Sequence, residues 1–81
     1  MKTVIKNYIN QFWRMPFYGG KEDLEVCGYK IHIIQNLFDC KVIGLIIYLY
    51  EGNNYVDGLR WDVNKKRQTI EVVEEISLNI K

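Results

Sequence analysis

One proline, one histidine and two cysteines are all that 81 residues hold of the types that most often mark bends, metal sites and disulfides. His32 has no cysteine or second histidine at ligand spacing. It alternates with apolar neighbours, so it reads as a strand residue on the wet side rather than a metal ligand or catalytic base. Cys27 and Cys40 are too few to staple a small secreted scaffold. They also lie far from opposite one another on neighbouring strands, which argues against a disulfide between them. The apolar run "VIGLIIYLY" is too short to cross a bilayer as a helix. The first residues, "MKTVIKNYINQFW", lack the apolar core and small-residue cleavage site of a signal peptide. The expectation is a cytoplasmic chain that makes no membrane contact. Charge of one sign is missing too. Eleven Lys and Arg face ten Asp and Glu, for a net charge of +1. That balance excludes an acidic polyanion mimic and argues against a strongly basic nucleic-acid footprint. No motif for a cofactor or a metal is present, and "YGGKED" lacks the spacing of a phosphate-binding loop.

What is there is apolar and aromatic: 48% and 14% of the chain, enough for one small globular domain over residues 1–81. Enrichment in Ile, Lys, Asn and Tyr fits an AT-rich microbial or phage genome. From Thr3 to Trp13, the apolar residues Val4, Ile5, Tyr8, Ile9, Phe12 and Trp13 share one side of a helix. Thr3 can cap its start. Pro16 ends it, because proline keeps the preceding residue out of the helical region. The period then changes to two in "YKIHIIQ" and "YVDGLRWDV", while "KVIGLIIYLY" is apolar on both faces.

The final segment, "TIEVVEEISLNIK", fits two templates. A helix would gather Ile70, Val73, Ile76 and Ile80, but Lys65, Lys66 and Arg67 would then crowd the positive end of its dipole. A strand places Ile70, Val72, Ile76, Leu78 and Ile80 on one face, interrupted by Glu74. The strand is the leading expectation. The fold class is therefore α+β, an N-terminal amphipathic helix packed on a four-stranded antiparallel β-meander, with α-β-β-β-α as the alternative.

Two-residue loops at Leu37-Phe38, Gly52-Asn53 and Lys65-Lys66 would fix the register. They place Tyr29, Ile31, Ile46, Gly44, Leu59 and Trp61 under the helix, with Trp61 opposite Gly44. The opposite face then carries Val26, Ile43, Leu45, Ile47, Leu49, Val56 and Val73, more aliphatic surface than a wet sheet face needs. Either a partner covers it, a protein target or a second copy in a homodimer, or the C-terminal residues or the Lys21–Leu24 loop fold over it. The same register sets Asp57 against Glu74, a carboxylate pair that could found a small hydrolase or ligand site, or simply pair with Lys2, Lys6 or Lys21.

The stretch "FWRMPFYGG" packs four aromatic residues, an arginine and the proline beside a double glycine. A turn presenting Arg14, Met15, Phe17 and Tyr18 has the composition of an interface hot spot, although Phe17 could equally close the end of the core. The leading functional reading is a non-enzymatic protein-interaction module, an inhibitor or adaptor of phage or mobile-element type. It binds through Arg14, Met15, Phe17 and Tyr18 together with Ile43, Leu45, Ile47, Leu49 and Val56. The alternatives are nucleic-acid binding at a corner made by Arg60, Trp61, Lys65, Lys66 and Arg67, and the carboxylate site.

Overall fold

Ile5, Tyr8, Ile9 and Phe12 recur at the spacing that lines up one helical stripe, and all four are buried along α1 (Lys2–Arg14). The computed structural model describes residues 1–64 and 68–80. The helix ends as the proline dictates: Met15 is extended, with φ −159° and ψ 153°. Its start differs from expectation. The N-cap is Met1, with no side-chain cap, and Thr3 lies inside the first turn.

Four antiparallel strands follow in meander order: β1 (Leu24–Val26), β2 (Tyr29–Phe38), β3 (Lys41–Glu51) and β4 (Asn54–Val63). The chain closes with α2 (Gln68–Asn79). The helix on a four-stranded meander is as expected, but the fourth strand is β1 rather than the C-terminal segment. In α2, Thr69, Val72, Val73 and Ile76 are buried at helical spacing, and Ile80 just beyond it is buried too. Glu71 stands in the first turn, where the helix dipole favours it. The charges that argued against a helix, Lys65 to Arg67, lie outside the described residues. Both helices lie on the same face of the sheet, α1 over β2 and β3, α2 against β4 and α1. Trp13 Nε1 donates to Thr69 Oγ1 at 3.0 Å and ties the two helices together. That bond gives the buried threonine a partner.

The register decides which face is the core. β2 and β3 turn at Asp39-Cys40, so Phe38 pairs with Lys41. Both turn residues are left-handed, φ 51° and 62°, as a tight two-residue hairpin requires. Moving the loop from Leu37-Phe38 shifts the pairing by an even number of residues and leaves every side chain on its face. A bulge then intervenes: Leu37 pairs with Val42 but Asn36 with Gly44, so Ile43 is the extra residue. Ile31 consequently meets Leu49 rather than Gly44, an odd shift that inverts the facing of β3.

The Gly52-Asn53 hairpin forms as expected, with Glu51 opposite Asn54. A second irregularity follows between Tyr48 and Tyr50. The segment Val56–Leu59 is set against Leu49 alone, and Gly58 takes φ 74° there, a conformation other residues rarely adopt. Trp61 therefore lies opposite Ile47, while Gly44 pairs with Asn36.

Leu45, Ile47 and Leu49, expected on the far face, are thus at the centre of the core, together with Ile31, Ile33 and Val63. α1 lies over β3, and Val72, Val73, Ile76 and Ile80 of the C-terminal segment close the same buried cluster from the side of β4. Val73 is buried on α2 itself, and Val26 and Val56 pack half-buried at the core's margin. Leu45, Ile47 and Leu49 are therefore covered within the chain and are not the surface through which a second copy was expected to bind. Among the described residues no helix is long and apolar enough to cross a membrane.

Candidate functional site

Gln35 faces the core side of β2 beneath the C-terminal end of α1. Its amide nitrogen donates to the carbonyl oxygens of Phe12 and Met15 at 2.8 and 2.9 Å, and its carbonyl oxygen accepts from the Phe17 N–H at 2.8 Å. One side chain thus satisfies three main-chain groups that the end of the helix and the proline turn leave free. Phe12 and Phe17 meet edge to face at 5.2 Å, and Gly20 N–H returns to the Phe17 carbonyl at 3.0 Å. This is why the aromatic residues gather where the chain turns. Phe12 and half-buried Phe17 close the end of the core, and the turn they anchor holds Tyr18 out at 75% exposure. Arg14 and Met15 are exposed on the same turn.

Tyr18 reaches the β2–β3 hairpin. Its phenol is held above the usual tyrosine range by the neighbouring Cys40 side chain. At this end of the molecule Phe38 is 72% exposed, Ile43 54% and Ile34 43%. Ile43 is exposed because the bulge leaves it unpaired; Ile34 and Phe38 share the outer face by strand alternation. Tyr18, Ile34 and Leu37 also line one cleft of about 300 Å³ with Phe12, Phe17 and Gln35. Ile34 and Phe38 were missed by pattern reading, since they alternate out of a strand whose inward residues are equally apolar.

His32 stands on the outer face, and its Nδ1 is 2.6 Å from Asp23 Oδ1. Further along that face the rows read His32–Tyr48–Arg60 and Lys30–Tyr50–Tyr55. Lys30 lies 5.4 Å over the Tyr50 ring and Arg60 5.8 Å over Tyr48.

The other expected sites do not assemble. Glu74 is on α2, paired with Lys2 at 2.8 Å, while Asp57 lies in the irregular part of β4. The register that set them side by side is absent. Their exposed positions make the Lys2–Glu74 pair worth no more than about 1 kcal/mol. Arg60 and Trp61 are successive strand residues and face opposite sides: Arg60 toward Tyr48 and Asp62, Trp61 toward α2, where its indole N–H donates to Glu75. The remaining members of that corner, Lys65, Lys66 and Arg67, lie outside the described residues. Cys27 and Cys40 are free and occupy hairpin turns at opposite ends of β2, on the order of 30 Å apart at strand rise. Among the described residues, no group of three His, Cys, Asp or Glu side chains is placed to hold a metal ion.

Tyr8 couples the segment entering β1 to the core. Its hydroxyl donates to the Glu22 carbonyl at 2.7 Å. Burial pushes this phenol from 10.0 up to about 12, and the nearby Asp23 carboxylate adds to the push. The folded chain therefore keeps a proton that the unfolded chain gives up near pH 10. This contribution is complete below pH 10 and is lost as pH rises toward 12. Urea midpoints should fall across that interval. Tyr8→Phe should flatten the fall while lowering the midpoint at neutral pH, through loss of the Glu22 bond.

No protein-family model, no curated protein and no solved structure matches this chain.

Proposed function

We propose that the protein is a non-enzymatic protein-interaction module, an inhibitor or adaptor of phage or mobile-element type. Its binding end is where the aromatic turn meets the β2–β3 hairpin. The observation that carries this reading is the clustering of Tyr18, Ile34, Leu37, Phe38 and Ile43 at one end of a domain whose core is already complete. Large apolar side chains held in water by a rigid frame mark surfaces that a partner covers. Arg14 and Tyr18 are of the residue types that dominate such contacts. Of the residues first expected to bind, Arg14, Met15, Tyr18 and Ile43 remain on this surface. Phe17 supports it from below, while Leu45, Ile47, Leu49 and Val56 belong to the core or its margin.

The test is Phe38→Asp combined with Ile43→Asp. Both positions are exposed, so the melting temperature should stay within a few degrees of wild type. Capture of the partner from a lysate of the source organism should fall at least tenfold. Unchanged capture would remove the reading.

A second reading is favoured by the outer face, where Lys30 and Arg60 sit over tyrosine rings: single-stranded nucleic acid could stack there. It predicts oligonucleotide binding that weakens steeply with salt and is lost in Tyr48→Ala with Tyr50→Ala, variants that should leave protein capture unchanged.

A further inference from the structure

We infer that the free edge of β2, from Ile33 to Leu37, accepts an extended segment of the partner polypeptide as an added strand. This rests on the protein-interaction reading and names the form the partner takes.

The edge follows from the hairpin geometry. Val26 and Tyr29 flank a two-residue loop and form a hydrogen-bonded pair, as do Phe38 and Lys41 at the other end of β2. Main-chain groups alternate between the two sides of a strand. Tyr29 and Ile31 therefore address β1, and Ile33, Gln35 and Leu37 continue toward the same side. β1 is too short to meet them. It begins at Leu24, opposite Ile31, and is three residues long. Before it residues 17–23 run beside β2 without adding to its strand pairing: the Asp23 carboxylate is held by His32, the Glu22 carbonyl by Tyr8, and Phe17, Tyr18 and Gly20 line a cleft against Ile33–Leu37. Among the described residues, no backbone or side-chain hydrogen bond from outside the sheet reaches the N–H or C=O of Ile33, Gln35 or Leu37.

A row of main-chain donors and acceptors repeating every second residue is complementary to another extended main chain. Five residues give a platform of roughly 17 Å at strand rise. The cleft beside this edge adds side-chain selectivity. Phe12, Phe17 and Tyr18 wall it, so the segment should seat an aliphatic or aromatic residue there. Its rim is basic: the Lys21 ammonium lies 5.0 Å over the Phe17 ring, and Arg14 is exposed on the same turn. Of the two neighbouring acids, Asp23 is engaged by His32, while Glu22 is exposed beside Lys21, leaving the rim with two cations against one free carboxylate. An acidic residue flanking the apolar one therefore completes the match.

The probe is a library of acetylated, amidated heptapeptides alternating Val, Ile or Phe with polar residues and carrying one Glu. Binding should bring new hydrogen-exchange protection to the amides of Ile33, Gln35 and Leu37. Leu37→Pro deletes one edge-facing N–H without breaking a β2–β3 bond, so the variant should stay folded and bind the selected peptide roughly tenfold more weakly or worse. The selected peptide, N-methylated at its edge-facing amides, should lose binding to the wild-type protein, a result independent of any variant's folding.

The inference is overturned if no library peptide binds, if protection appears elsewhere, or if Leu37→Pro and N-methylation both leave affinity unchanged. Self-association of the wild type that Leu37→Pro abolishes would also overturn it, by making a second copy the occupant. Partner capture that depends on Phe38 and Ile43 without protection of the edge amides would leave the interaction reading standing and remove strand addition alone.

Discussion

Leu45→Lys combined with Ile47→Glu is expected to unfold the protein. Both side chains are essentially inaccessible to water and lie on β3 beneath α1, in one buried cluster with Val72, Val73 and Ile76 of α2. Removing a buried Leu or Ile costs about 2–5 kcal/mol from lost transfer and packing. The introduced ammonium and carboxylate would add a larger penalty, because the aliphatic shell of Ile5, Ile9, Leu49, Val63 and Ile76 offers neither a partner. Against a total stability of about 5–15 kcal/mol, and a chain of this size at the lower end, the sum leaves no folded state. Circular dichroism should show the loss of both helices, and urea titration should show no cooperative transition.

Gln35→Leu is the second large effect. The substitution keeps volume and apolarity but strands the Phe12 and Met15 carbonyls and the Phe17 N–H. An unsatisfied group that is partly shielded costs about 1–3 kcal/mol, and water can reach some of this turn, so a loss of roughly 2–4 kcal/mol follows. For a domain of this size that is a fall in melting temperature on the order of 10–25 °C. Gln35→Glu should be nearly as damaging. A carboxylate can still accept from Phe17 but cannot donate, and it would face two carbonyl oxygens. A thermal melt of both variants beside wild type checks this. Gln35→Leu that melts like wild type would show that the turn is held by Phe12 and Phe17 packing alone.

The parts of this architecture that were readable in the sequence are those with one clear period. α1 announced itself through Ile5, Tyr8, Ile9 and Phe12 and stopped at Pro16. β2 and β4 alternate, and their inward residues Ile31 and Trp61 were placed on the correct side. β3 gave no such signal: "VIGLIIYLY" is apolar at every step, so its facing rested wholly on loop placement. Loop placement failed because two bulges, at Ile43 and between Val56 and Leu59, change the count by an odd number; the first leaves no mark of its own in composition, and the second is marked only by Gly58 inside the strand. α2 was blurred for a different reason. Its stripe includes Thr69, whose burial depends on the distant Trp13 indole, while Ile70 and Leu78 point to solvent. The candidate site was half visible. The turn Arg14–Tyr18 stood out by composition, but its counterpart on the hairpin arises from the bulge at Ile43 and the left-handed Asp39-Cys40 turn.

The central claim is that β3's aliphatic face is the chain's own core and that the partner surface lies at the turn and hairpin end. Thermal denaturation of the two double variants side by side tests it most directly. Leu45→Lys with Ile47→Glu should show no folded baseline, while Phe38→Asp with Ile43→Asp should melt within a few degrees of wild type. The reverse pattern, a folded core variant and an unfolded hairpin variant, would contradict the account.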